Sequence, residues 1–98
     1  MEDITAKELK ERLENGEEIT LLDVREPYEY DEDNLEGTLI PLGSLAEKLS
    51  ELEDKKDEEI VVHCRSGARS ANAKQYMASQ GFSKVRNLLG GIIAYRKL

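Results

Sequence analysis

Ile60-Val61-Val62-His63-Cys64-Arg65-Ser66-Gly67-Ala68-Arg69-Ser70 is the stretch that settles how this chain folds and where its chemistry lies. Ile60, Val61 and Val62 are β-branched and bounded by polar residues, the strongest strand signal in the sequence. The strand runs directly into a loop of small residues and arginines. A helix is expected from about Arg69 to Gln80, with Gly81 as its stop. The only cysteine of the chain therefore stands at the carboxyl end of a strand, just ahead of a helix.

Working outward, the remaining elements alternate. Toward the C-terminus, Lys84-Val85-Arg86-Asn87-Leu88 reads as a last strand, and Gly90-Gly91 introduces a short terminal helix. Toward the N-terminus, Glu53 to Glu59 reads as a charged, mobile connection. Before it, Ser44-Leu45-Ala46-Glu47 has capping-box spacing and opens a helix with Leu45, Leu49 and Leu52 on one face. Gly37-Thr38-Leu39-Ile40-Pro41 is a short strand ended by proline. Pro27 suits the first position of a short acidic helix over Tyr28 to Asn34. Ile19-Thr20-Leu21-Leu22-Asp23-Val24 is a nearly continuous apolar run, as expected of a strand covered on both faces. Thr5-Ala6-Lys7-Glu8 is another capping box, and its helix ends near Asn15-Gly16. Strands alternating with helices predict a three-layer α/β/α domain around a parallel sheet, spanning residues 1–98. Ligands of such sheets bind beyond the carboxyl ends of the strands, where Cys64 falls.

A thiol attacks as thiolate, and its reference pKa is about 8.5. The loop favours the charged form in three ways. It precedes a helix N-terminus, whose unpaired N–H groups attract anions. Ser66, Gly67 and Ala68 are small enough to curl their amides into a nest around the sulfur. Arg65 and Arg69 add positive charge, and Ser70 completes the loop. The same cradle suits the outer sulfur of a persulfide or an oxyanion. A lone cysteine after a buried strand is ordinarily a small core residue; the loop behind this one turns the reading toward catalysis.

Composition narrows the remaining choices. The 98 residues, 39% of them hydrophobic, suffice for one core. One cysteine forbids an internal disulfide, and with one histidine no metal-ligand spacing is evident. No cofactor is implied. A lone thiol fits a reducing compartment, no apolar run has the length of a membrane span, and Met1-Glu2-Asp3 is no signal peptide. A soluble, cytoplasmic monomer is expected. The formal charge of −7, from 14 basic and 21 acidic residues, argues against nucleic-acid binding.

With these residues in view, the chain resembles the rhodanese family. The likeness runs from about Ile4 to Tyr95. It rests on Asp23-Val24-Arg25-Glu26-Pro27-Tyr28-Glu29-Tyr30, on the loop Cys64 to Ser70, and on Asn87-Leu88-Leu89-Gly90-Gly91-Ile92. The resemblance implies a five-stranded parallel sheet between helices. It also implies a cycle in which Cys64 takes sulfur from a donor such as thiosulfate and passes it to a thiol or cyanide. Many relatives carry histidine and proline where this chain has Asn34 and Glu36, a departure expected to change local packing rather than sulfur chemistry.

Two rivals follow from the same residues. A phosphatase or arsenate reductase loop places five residues between cysteine and arginine, whereas four, Arg65 through Ala68, separate Cys64 from Arg69. The shorter loop makes a smaller nest, suited to one sulfur atom. The second rival is a non-catalytic rhodanese-like interaction domain, or a redesigned sequence that keeps the loop without a partner; inactive relatives typically lack the cysteine. Asp23 and Arg25 are expected to support the loop or pair with each other. Strand alternation turns His63 to the opposite face, for packing or partial exposure. With no resolving cysteine, an outside thiol (glutathione, thioredoxin or a partner protein) is expected to relieve the persulfide.

Overall fold

The computed structural model describes residues 1–98. Its elements are α1 (Ala6–Glu14), β1 (Thr20–Asp23), α2 (Pro27–Glu32), β2 (Thr38–Leu39), α3 (Leu45–Lys48), β3 (Ile60–His63), α4 (Ala68–Ser79), β4 (Val85–Asn87) and α5 (Gly91–Arg96). The strands are all parallel, in the order β2-β1-β3-β4. β3 therefore lies inside the sheet, with Asp23 of β1 in register with His63 and Asn87 of β4 in register with Val62.

The sheet has four strands rather than the five that the resemblance implies. The fifth is reduced to one bridge between Ile4 and Leu88, in which Leu89 N–H donates to Ile4 at 2.9 Å. The sequence gives a reason. Ile4 is the only buried residue among the first five, with charged Glu2 and Asp3 before it. Thr5 after it already caps α1, its hydroxyl accepting from Glu8 N–H at 3.1 Å. One apolar side chain cannot extend a ladder into a strand.

Alternation along β1 and β3 divides the core between the two faces. Leu22, Val24, Ile60, Val62 and Cys64 meet Leu45, Leu49, Leu52, Ala73 and Met77 on one face. Leu21 and Val61 meet Ile4, Ala6, Leu9 and Leu88 on the other, with Tyr95 of α5 against them. Complete burial of such side chains stabilises the fold by about 1.5–3 kcal/mol each.

The segment before β3 departs from expectation. Ser44 makes no side-chain cap, and the expected helix splits into 3-10 turns at Leu42–Ser44 and Leu49–Lys55 around the short α3. Ser44 already has helical backbone angles (φ −104°, ψ −2°), because it closes the preceding turn, so its side chain is not placed to cap. Glu53 to Lys55 thus belong to a 3-10 turn that buries Leu52 rather than to a free connection. Asn34 and Glu36 form a tight turn: Asn34 Oδ1 accepts from Glu36 N–H at 2.8 Å, and Glu36 takes φ +62°. Neither hydrogen-bonds to the cysteine loop.

Candidate active site

β3 delivers Cys64 to the carboxyl end of the sheet, and the chain turns around the sulfur before α4 begins. Gly67 makes that turn, with φ +109°, a conformation a Cβ would strain. Its N–H points back at Cys64 Sγ at 3.1 Å, and Ser70 N–H and Oγ each lie 3.4 Å from the same sulfur. Cys64 is 1% exposed. Burial opposes ionisation, yet the Ser70 hydroxyl and the amides of Ser70, Gly67 and Ser66 outweigh it, holding the thiol below its usual range. Ala68 and Arg69 amides, in the first turn of α4, donate to no protein acceptor. They remain free for an incoming anion.

The walls of the loop come from distant segments. Arg69 is held by Glu29 of α2 through two bonds, Nη1 to Oε1 at 2.7 Å and Nη2 to Oε2 at 2.9 Å. That pairing holds the Glu29 carboxyl down at about 2. Arg69 also feels the charge of Cys64 across the loop. Asn87 Nδ2 donates to Gly67 O at 3.2 Å, and its Oδ1 receives the Ser70 hydroxyl at 2.5 Å. From the far side, Ile92 N–H donates to Cys64 O and Ile93 N–H to Arg65 O, at 3.0 and 3.2 Å. Gly91 makes this approach possible: a Cβ there would collide with the Arg65 carbonyl and lie 2.7 Å from that of Cys64.

Asp23 and Arg25 pair with each other. Arg25 Nη2 reaches Asp23 Oδ2 at 2.8 Å and Asp33 O at 2.7 Å, with both side chains buried. They brace the carboxyl end of β1 and make no hydrogen bond to the loop. Arg65 is exposed and forms no ion pair. It lines an open cleft of about 380 Å³ beside the loop, together with Arg25, Glu29, Asp33, Arg96 and Lys97. No three histidine, cysteine or carboxylate side chains converge as a metal site, and no helix is long and apolar enough to cross a membrane.

The family of rhodanese-like domains matches residues 5–98. This chain belongs to it. A sulfurtransferase from Allochromatium vinosum is 38% identical over 96 residues, covering 97% of this chain and 88% of that protein. A tRNA uridine(34) hydroxylase from Photorhabdus laumondii is 33% identical over 99 residues but is matched through only 28% of its length. The crystal structure of a rhodanese-like domain protein from Staphylococcus aureus superposes with a TM-score of 0.87 at 29% identity, covering 97% of this chain and 91% of that one.

Within this rhodanese domain, Cys64, Ser66, Gly67 and Ser70 converge on one atom, as the loop sequence suggests. Ala68 contributes its place at the helix start. Arg69 is there too, but bound to a carboxylate. Sequence reasoning missed Glu29, Asn87 and the packing role of Gly91. All three lie in the segments that carry the family resemblance, which was the available signal.

Proposed function

We propose that this rhodanese domain is a sulfurtransferase that moves sulfane sulfur from thiosulfate to a thiol through a persulfide on Cys64. The observation that carries this reading is the convergence of Gly67 and Ser70 donors on Cys64 Sγ beside the free amides of Ala68 and Arg69. The bound donors stabilise the attacking thiolate, and the free ones offer a seat to a second sulfur or a departing anion.

In the first step the thiolate attacks the outer sulfur of thiosulfate. An Sγ–S bond forms, the donor's S–S bond breaks, and its electron pair leaves with sulfite. In the second step an acceptor thiolate attacks the outer sulfur of the persulfide and returns the electron pair to Sγ. Arg65, exposed and without an ion-pair partner, is suited to drawing the anionic donor to the loop. A thiol that must return to its reduced form each cycle suits the cytoplasm, and an outside thiol or a carrier protein serves as acceptor.

Phosphate-ester hydrolysis fits less well because the two carboxylates braced at this end of the sheet are held by arginines rather than free to protonate a leaving alkoxide. Glu29 is ionised against Arg69, and Asp23 is paired with Arg25. Mass spectrometry after incubation with thiosulfate tests the proposal. A gain of one sulfur atom, absent in Cys64→Ser, is the expected result. Hydrolysis of an aryl phosphate with no such adduct would sink it.

A further inference from the structure

Ser70 Oγ has one proton and three acceptors in reach: Asn87 Oδ1 at 2.5 Å, Gly67 O at 3.2 Å and Cys64 Sγ at 3.4 Å. Ser70 and Asn87 are buried, so water does not compete for that proton. The Asn87 amide is fixed by its own bond to Gly67 O, which leaves its oxygen facing Ser70. What decides between the acceptors is the charge on the sulfur. As a thiolate, Sγ is an anion and a strong acceptor. Once loaded, Sγ is an uncharged bridging sulfur and the negative charge sits on the outer atom, beyond this hydroxyl.

From this geometry, and resting on the sulfur-transfer reading above, we infer that Ser70 is a catalytic donor for the unloading step, its hydroxyl turning from Asn87 to Cys64 Sγ as the persulfide breaks. In that step the acceptor thiolate bonds to the outer sulfur, the Sγ–S bond breaks, and Sγ receives the electron pair. The hydroxyl meets the charge as it forms. In the loading step the same bond works both ways. It raises the fraction of thiolate and lowers its nucleophilicity, and these effects largely offset. Asn87 acts through Ser70 as a positioning residue, parking the proton while the sulfur is loaded.

The asymmetry is measurable. Loading by thiosulfate and unloading by a small thiol are followed separately in single turnovers, in the unaltered protein, Ser70→Ala and Ser70→Thr. Loading is measured at a pH where Cys64 is ionised in every protein. Ser70→Ala should unload about three- to tenfold more slowly, roughly half of a charged hydrogen bond being felt in the transition state. It should load no more slowly, and its thiolate absorbance should appear at higher pH. Ser70→Thr, which keeps the hydroxyl, should restore unloading. Equal slowing of both steps, or unchanged unloading in Ser70→Ala, would overturn the inference while leaving sulfur transfer intact. Absence of any sulfur adduct in the unaltered protein would instead remove the reading on which it rests.

Discussion

His63 and Cys64 are neighbours in sequence, both buried, and they point to opposite faces of the sheet. Their surroundings could hardly differ more. Cys64 Sγ is met by the Gly67 and Ser70 amides and the Ser70 hydroxyl, with the Ser66 amide beside them. Neither nitrogen of His63 has a hydrogen-bond partner, and the nearest carboxylate, Asp23, is 3.8 Å away and already engaged by Arg25. Both groups titrate below their ordinary values, but for different reasons. For His63 burial dominates, with Arg25 acting in the same direction and Asp23 against it, which leaves a neutral ring. For Cys64 burial acts the other way and is overcome by donors, which favours an anion. Burial alone does not activate a side chain at this end of the sheet; the amides and the hydroxyl do.

Gly91→Ala should break the contrast most severely. The added methyl meets the Arg65 carbonyl at a residue with φ +61°, so the loop must shift away from α5. A loss of about 2–4 kcal/mol is expected in urea unfolding, with the Cys64 thiol moving back up in an ultraviolet titration.

A pH series sharpens the same contrast. A histidine with a depressed folded pKa leaves the unfolded chain binding the extra proton. Stability should therefore be full above about pH 6.5 and fall by roughly 1.4 kcal/mol per unit below it, until the folded value is reached. Glu29 and Glu59, each held at about 2, contribute their full stability throughout this range and lose it only under more acidic conditions. Unfolding midpoints at pH 7.5 and 5.5 should differ in the unaltered protein, and the difference should shrink in His63→Leu. Cys64, also depressed, adds stability as pH rises through its folded value toward about 8.5. Cys64→Ser should lose that upper rise and keep the lower one.

The smallest effect should come from the opposite end of the sheet. Glu59 accepts from Arg12 at 2.6 and 2.9 Å and from Arg86 at 3.0 Å. Glu59→Gln should cost about 1 kcal/mol in unfolding free energy. The Cys64 titration should not move; if it does, the activation is not local to the loop.

What was legible in the sequence follows from distance along the chain. The strand, loop and helix around Cys64 are read from contiguous residues, and the opposed facing of His63 from simple alternation. The Glu29–Arg69 pair joins residues 40 apart and the Ser70–Asn87 bond residues 17 apart. No periodicity encodes such meetings; only the sheet order creates them. The capping pattern at Ser44 failed because a turn ending on the same residue fixed its backbone first. The missing fifth strand reflects competition at Thr5, where the helix cap prevails over a one-residue ladder. Full burial of His63 also lay beyond alternation, which assigns a face but not what covers it.

The imidazole with no hydrogen-bond partner has a practical consequence. As the chain's one histidine, it contributes a single set of ring resonances, one peptide bond away from the reacting residue. Fully buried beside the Asp23–Arg25 pair, that ring is an intrinsic spectroscopic probe. Its chemical shifts offer a way to follow sulfur arriving at and leaving the protein in solution, with no label attached and no mutation made.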